Sequence, residues 1–283
     1  MERPAQTTIG SFLSCSTKML TVAGINTARL DTLVLLEDVT KVNRAQLLAR
    51  PELELSGPQF KLLTKMVQRR AEHEPLAYIR NKTEFYGREF YVDHRVLEPR
   101  PESETMIDLL LQLENNTSKI IIDVGTGSGA LAITAKLELP SSSVVAVDID
   151  DGCLTVASQN VQSLHAEIQA IQSNLLEAVS EQALRGAILL CNLPYVPDNF
   201  QINPAAMREP RLAIFGGPDG LDLYRKLFAY LANSISKPDF ILTEALPPQH
   251  YELKTIAERA SFVLDRSQDF IQCFKMATGR PEL

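Results

Sequence analysis

"KIIIDVGTGSGALAITAKLEL" (residues 119–139) is the stretch on which the fold turns. "KIIIDVG" is an unbroken apolar run of strand length, and "SGALAITAKLEL" is a helical one. Gly125, Gly127 and Gly129 stand between them, where the chain must turn sharply from strand to helix. Outward from this unit the same alternation continues. "SVVAVDID" (143–150) reads as a strand and "DGCLTVASQNVQSL" (151–164) as a helix. "AEIQAIQS" (166–173), "GAILLCNLPY" (186–195) and "DFILTEAL" (239–246) supply three more strands. Strands that alternate with helices predict an α/β fold, a Rossmann-like parallel sheet with helices on both faces. "SFVLDRS" (261–267) and "FIQCFKMA" (270–277) follow one another with almost no link, so they pair antiparallel and give the sheet an antiparallel edge.

Toward the N-terminus the pattern changes. "TEFYGREFYVDHRVLEP" (83–99) alternates, is rich in aromatics and has Gly87 at its turn, which predicts a β-hairpin or extended bridge. "PRPESETMIDLLLQLENN" (99–116) opens on two prolines and continues as a helix with an apolar face. Before residue 80 the periodicity is helical, as in "ARLDTLVLLEDVT" (28–40) and "SGPQFKLLTKMVQRRAEHEP" (56–75), the latter with Ser56-Gly57-Pro58 as a start signal. The organisation expected is a small helical domain over 1–80, a hairpin linker over 81–100 and an α/β domain over 101–283.

The bulk properties narrow the function. With 283 residues the chain can bury two cores, and no window has the length and apolarity of a membrane span. "MERPAQTTIG" lacks a charged start followed by an apolar run, so no secretory signal is expected. Cys15, Cys153, Cys191 and Cys273 are scattered, which argues against a zinc site or a disulfide framework and fits a reducing cytoplasm. Acidic residues outnumber basic ones, 35 to 28, giving a net charge of −7, whereas phosphate-driven nucleic-acid binding favours a basic excess. Basic clusters at 65–74 and 208–212 are expected to be solvated faces.

The chemistry collects at strand ends. Asp123 closes the first strand of the α/β region, and Gly125, Thr126, Gly127, Ser128 and Gly129 form the turn after it. Asp148 ends the next strand, where a carboxylate can accept both ribose hydroxyls of a nucleoside cofactor. These features suit a dinucleotide as well as S-adenosylmethionine. Two details favour S-adenosylmethionine: Asp123 suits a cationic methionine moiety better than a pyrophosphate, and the strand at 186–191 runs into Asn192-Leu193-Pro194-Tyr195.

That ending answers a specific demand. An amide or exocyclic nitrogen is a poor nucleophile because its lone pair is delocalised. Two acceptors, the Asn192 side-chain oxygen and the Leu193 carbonyl, can orient its N–H groups and favour the partly positive nitrogen of the transition state. Tyr195 can pack on the planar group. No general base is needed before attack.

With these motifs in place, the sequence resembles the release factor glutamine methyltransferase family. "EPLAYIRNKTEFYGREFYVDHRVLEPRPESE" (74–104) is similar to that family's linker, and "REPRLAIFGGPDGLDLYRKL" (208–227) to its segment after the strand-end motif. The resemblance covers nearly the whole chain. It implies a class I methyltransferase domain behind a helical N-terminal partner-binding domain, and S-adenosylmethionine as cofactor. It also implies methylation of the side-chain nitrogen (N5) of the glutamine in the Gly-Gly-Gln motif of peptide-chain release factors. Cofactor contacts are implied at Gly125 to Gly129, Asp148 and Asn192, with Asn174 and Leu175 flanking the adenine, and Asn192 to Tyr195 holding the glutamine. Membrane and metal are not implied, and nucleic acid is not the expected direct substrate. The family motif is usually Asn-Pro-Pro-Tyr, so Leu193 is a departure that loses a fixed φ. Asn-Leu-Pro-Tyr is also similar to the motif of ribosomal-RNA adenine dimethyltransferases, which makes adenine-N6 methylation the alternative activity. A non-catalytic S-adenosylmethionine-binding protein is the other alternative. Glu98 and "TEALPPQH" (243–250) are further departures.

Other residues receive plainer readings. His73, His94, His165 and His250 are dispersed, without a nucleophile partner. Glu102 and Glu104 are read equally as helix-start charges and as groups at the cofactor's edge. Phe85, Tyr86 and Phe90 are read as packing, and "FGGPDG" (215–220) as a loop near the site without an assigned role.

Overall fold

The computed structural model describes residues 7–113 and 119–277. They fall into two compact units, one running to Asn81 and including Asn203–Arg208, the other running from Lys82 to Ile202 and from Glu209 onward. The last residues of the 99–116 helical reading lie outside the described residues.

The first unit is helical: α1 (Ile9–Val22), α2 (Ala28–Thr40), α3 (Arg44–Ala49), α4 (Gly57–Ala71) and α5 (Leu76–Arg80). Ser56 caps α4 in a reciprocal box with Gln59, which satisfies two otherwise orphaned N–H groups. Phe12, Leu35, Leu36, Leu63 and Val67 form its core. The basic residues at 65–74 are not simply a solvated face. Arg70 Nε meets Asp31 Oδ2 at 2.7 Å in a pair that is almost fully buried, and Arg69 is paired with Glu74. A charge enclosed in this way is stable only with its partner.

In the second unit, β1 (Thr83–Phe85) and β2 (Arg88–Phe90) form the expected hairpin. Its turn residues Tyr86 and Gly87 have φ of 51° and 69°. Phe85 and Phe90 are buried edge to face beneath it, with ring centroids 6.1 Å apart. Then follow α6 (Glu104–Leu111), β3 (Ile120–Val124), α7 (Ala130–Glu138), β4 (Ser143–Asp148), α8 (Asp151–Leu164), β5 (Gln169–Gln172), α9 (Glu181–Leu184) and β6 (Ile188–Cys191). The chain ends with α10 (Asp222–Asn233), β7 (Phe240–Glu244), α11 (His250–Arg259), β8 (Phe262–Gln268) and β9 (Ile271–Met276).

The seven strands lie in the order β5-β4-β3-β6-β7-β9-β8. All neighbours are parallel except β9, which runs against both β7 and β8. The antiparallel strand expected at the edge is thus inserted one place inside it, because the β8–β9 hairpin docks through its second strand. From β3 the chain winds outward through β4 and β5, then returns to build β6 and β7 on the other side. The order reverses between β3 and β6, and the crevice beyond their carboxyl ends is where α/β sheets of this kind bind ligands.

Strand alternation assigns the faces. Leu189 and Cys191 enter the core on one side of the sheet with Ile122 and Val124, and Ile188 and Leu190 enter the core on the other with Ile121 and α6. The alternation runs on past the end of β6: Leu193 is buried in the core of Leu189 and Cys191, 3% exposed. Asn192 is thereby turned to the opposite side.

Candidate active site

A cavity of about 300 Å³ opens at the reversal point of the second unit. Gly125, Thr126, Gly127 and Ser128 after β3, Asp148 at the end of β4, Asn174 and Leu175 after β5, and Asn192, Leu193 and Pro194 after β6 all line it. Most of the site residues expected from sequence are therefore brought together. Asp123, Gly129 and Tyr195 are not in its lining.

The glycine turn has a separate reason at each of two positions. A Cβ on Gly127 would meet nothing within 4 Å, so its backbone is left bare toward open space. On Gly129 it would press on Ala157 Cβ at 3.2 Å, so this glycine lets α7 pack on α8. Asp148 holds the turn: Oδ2 accepts from Gly127 N at 2.9 Å, and Oδ1 from Asp150 N at 3.0 Å. Burial pushes its carboxyl above the ordinary range, with these bonds opposing. Each oxygen retains a second lone pair for a hydroxyl group.

Asp123 lies beneath the turn. Its Oδ2 accepts from Thr126 Oγ1 at 2.6 Å and Ala132 N at 3.1 Å, while Oδ1 is buried without a hydrogen-bond partner. Burial raises its pKa to about 7. It braces the loop from inside, where the sequence reading had it facing a cationic ligand. Asn160, which the sequence reading passed over, completes this brace. Its side chain takes Tyr91 N at 2.7 Å and donates to Tyr91 O and Ser128 O, both at 2.9 Å. One buried amide thus ties the segment after the hairpin to the glycine loop.

Asn192 sits in a chain of polar contacts. Its Nδ2 donates to Ser103 Oγ at 2.8 Å, Ser103 Oγ donates to Glu244 Oε2 at 2.6 Å, and Tyr195 Oη donates to Glu244 Oε1 at 3.0 Å. Burial pushes the Glu244 carboxyl up, while the Ser103 and Tyr195 hydroxyls and the Asn192 amide pull it down. Burial also raises the Tyr195 phenol, as does its carboxylate partner Glu244. Sequence reasoning missed Ser103 and Glu244 as site residues. Glu244 carried a signal, since it ends an apolar strand as Asp148 does. Glu104 accepts the Tyr86 N–H at 2.7 Å, so it anchors the hairpin turn and does not enter the cavity lining. Glu98, the departure before "PRPE", accepts from Thr83 Oγ1 at 3.1 Å within the linker.

The loop left without a role, "FGGPDG", supports the strand-end motif. Val196 N donates to Ile214 O and Gly216 N to Val196 O, at 3.0 and 2.9 Å. A Cβ on Gly216 would lie 2.2 Å from Pro194 O, and one on Gly220 would lie 2.0 Å from Tyr195 O. Gln249 Nε2 donates to the same Tyr195 carbonyl at 2.7 Å. The basic pair at 208–212 is engaged internally: Arg208 donates to Glu72 O at 3.0 Å, and the Arg211 guanidinium lies 4.5 Å from the Phe215 ring centroid. Arg100 meets Glu209, whose carboxyl burial raises to about 7 against the opposing pull of that arginine. Among the described residues no cluster of His, Cys, Asp and Glu is arranged to hold a metal, and no helix is long and apolar enough to cross a membrane.

Comparison with known proteins places these features. Residues 12–80 match the PrmC N-terminal domain and residues 104–208 the methyltransferase small domain. The release factor glutamine methyltransferase of Moorella thermoacetica is 34% identical over 255 residues, which span 88% of this chain and 89% of that protein. That of Bacillus cereus is 33% identical over 234 residues, 80% and 83% of the two chains. A bifunctional methyltransferase of Rickettsia typhi is 33% identical over 258 residues. These are 83% of this chain but only 49% of that protein, so the chain spans about half its length. Among solved structures, the hMettl16 catalytic domain in complex with MAT2A 3'UTR hairpin 1 superimposes with a TM-score of 0.54 at 14% identity. The match covers 89% of this chain and 92% of that one. The likeness establishes the class I methyltransferase fold.

Proposed function

The chain belongs to the release factor glutamine methyltransferase family, and from that membership we propose that it transfers a methyl group from S-adenosylmethionine to the N5 nitrogen of the glutamine in the Gly-Gly-Gln motif of peptide-chain release factors. The observation that carries this reading is the placement of the Asn192 amide at the carboxyl end of β6, lining the same cavity as the glycine turn and Asp148. The cavity suits the cofactor on its own chemistry. Bare backbone at Gly127 admits close approach, Asp148 offers acceptors to ribose hydroxyls, and Ile149, Leu175 and Leu193 supply apolar wall for a base. Bound there, S-adenosylmethionine supplies an electrophilic methyl on a sulfonium.

The protein's own part is to hold the acceptor. A glutamine amide nitrogen presents two N–H donors and no acceptor, so it is recognised by two oxygens. Asn192 Oδ1 and the Leu193 carbonyl are those oxygens. Their hydrogen bonds strengthen as positive charge develops on the nitrogen, which favours the transition state over the ground state. Holding cofactor and amide in one cavity removes the entropic cost of encounter. We assign residues 1–80 to partner binding, 81–100 to the linker and 101–283 to methyl transfer, and place the enzyme in the cytoplasm.

The test is transfer of labelled methyl to three substrates: purified release factor, its variant with the motif glutamine changed to alanine, and ribosomal RNA. Label on the intact factor alone is expected, and label on RNA would replace this reading with adenine methylation. Asn192→Ala is expected to lower transfer by roughly 10²-fold or more while leaving cofactor affinity within a few-fold. Full transfer in that variant would remove Asn192 from the chemistry.

A further inference from the structure

Ser103 reaches the site from the turn before α6 and Glu244 from the end of β7, and the proposed chemistry uses neither directly. Both are enclosed, at 3% and 1% exposure. They are joined to Asn192 by the 2.6 Å and 2.8 Å contacts described above. A side-chain amide has two ends of nearly equal size. A half-turn exchanges oxygen for NH2 with little steric consequence, so only hydrogen bonding decides which end faces the cavity.

We propose that Ser103 and Glu244 are positioning residues that fix the direction of the Asn192 amide, presenting its oxygen and not its NH2 to the acceptor nitrogen. The inference rests on the role proposed for Asn192. A serine hydroxyl has one proton, and an ionised carboxylate can only accept. Glu244 therefore takes the Ser103 proton through Oε2, while Oε1 takes the Tyr195 proton. Ser103 is left with lone pairs toward Asn192, which admit the NH2 end and refuse the oxygen. The Asn192 oxygen is then the end left for a substrate. Reversal would set N–H groups against the N–H groups of the substrate amide. The order of donors and acceptors along Glu244, Ser103 and Asn192 thus selects a substrate that donates.

Two readouts on the full chain test this. The first needs no substrate: NMR of the Asn192 side-chain NH2, identified by its loss in Asn192→Asp. Its exchange with solvent is expected to be slower than that of exposed Asn26 by on the order of ten-fold or more. Ser103→Ala should weaken that protection, leaving only the Glu244 carboxylate to hold the amide, and Ser103→Thr, which keeps the hydroxyl, should restore it. The second readout is kinetic. In Ser103→Ala and Glu244→Gln, kcat for transfer to release factor is expected to fall on the order of ten- to a hundred-fold. Cofactor Kd and KM should stay within about two-fold, with Ser103→Thr recovering most of kcat. If Ser103→Ala does not fold, Glu244→Gln carries both comparisons, because its amide can donate to Ser103 and free the serine proton for Asn192. An unchanged Asn192 signal in the variants overturns the proposal, and so does an altered signal with kcat unchanged. If the parent protein methylates no release factor, the functional reading fails while the NMR comparison still decides the orientation.

Discussion

Asp123 combines complete burial with a carboxyl whose pKa is raised from 3.8 to about 7. Its other features explain why it persists: Oδ2 gathers the Thr126 hydroxyl and the Ala132 N–H, so the glycine turn and the first turn of α7 are tied to β3. A carboxyl raised in the folded state binds its proton more tightly there than in the unfolded chain. Its contribution to stability is therefore fully present below pH 3.8 and is lost as pH rises through about 7. The shift corresponds to about 4 kcal/mol at most between those limits. Asp123→Asn keeps the acceptor oxygen without the charge. The difference in unfolding free energy between about pH 5 and pH 8 should shrink in this variant, and its stability at the higher pH should rise. Urea denaturation at both pH values checks this, and an unchanged difference would mean that Asp123 is ionised throughout. Asp148 and Glu209, also raised by burial, leave a residual slope. At this scale the sequence was informative where a residue acts through its place on a strand. Asp123, Asp148 and Asn192 were all legible as strand-end polar groups. Ser103 was not, because its partner Glu244 is 141 positions away and nothing local marks the pair.

Elements were more legible than contacts between them. The parallel strands and the helices between them follow from apolar runs and their punctuation, and α2 and α8 fall on the residues read as helical. The insertion of β9 inside β8 was not legible, since local pattern gives the pairing of a hairpin but not which strand meets the sheet. The role of the 215–220 loop was hidden for a similar reason. Its glycines are needed because the carbonyls of Pro194 and Tyr195 press on them, a contact made by folding. This gives a sharp expectation. Gly216→Ala would place a methyl 2.2 Å from Pro194 O, so the loop or the strand-end motif must move. A displacement near 1 Å at the acceptor site costs roughly 10²-fold in rate. Gly216→Ala should therefore lose kcat by about that factor while cofactor affinity, which we assign to the glycine turn and Asp148, changes little. Single-turnover transfer beside a cofactor titration separates the two, and equal losses in both would show that the loop also shapes the cofactor half of the cavity.

For the whole molecule, the division of labour follows from which unit lines the cavity. Every lining residue, from Phe85 to Leu223, belongs to the second unit. None of the described residues of the helical unit lines the cavity, and that unit's core of Phe12, Leu35, Leu63 and Val67 is its own. Recognition of a protein substrate is the role we propose for the helical unit, in keeping with the family to which the chain belongs. A chain beginning at Lys82 should bind S-adenosylmethionine with nearly the parent affinity and methylate a short peptide carrying the Gly-Gly-Gln motif at a similar rate. Toward intact release factor its kcat/KM should fall by at least roughly ten-fold, the equivalent of losing about 1.4 kcal/mol of docking free energy. The peptide comparison separates lost docking from damaged chemistry. Equal loss on peptide and factor would mean that the second unit depends on the first for its fold. No loss on either would leave recognition entirely to the cavity and its rim, and would transfer the search for the docking surface to the segments around Leu212 and Phe200, which are exposed apolar residues of the second unit.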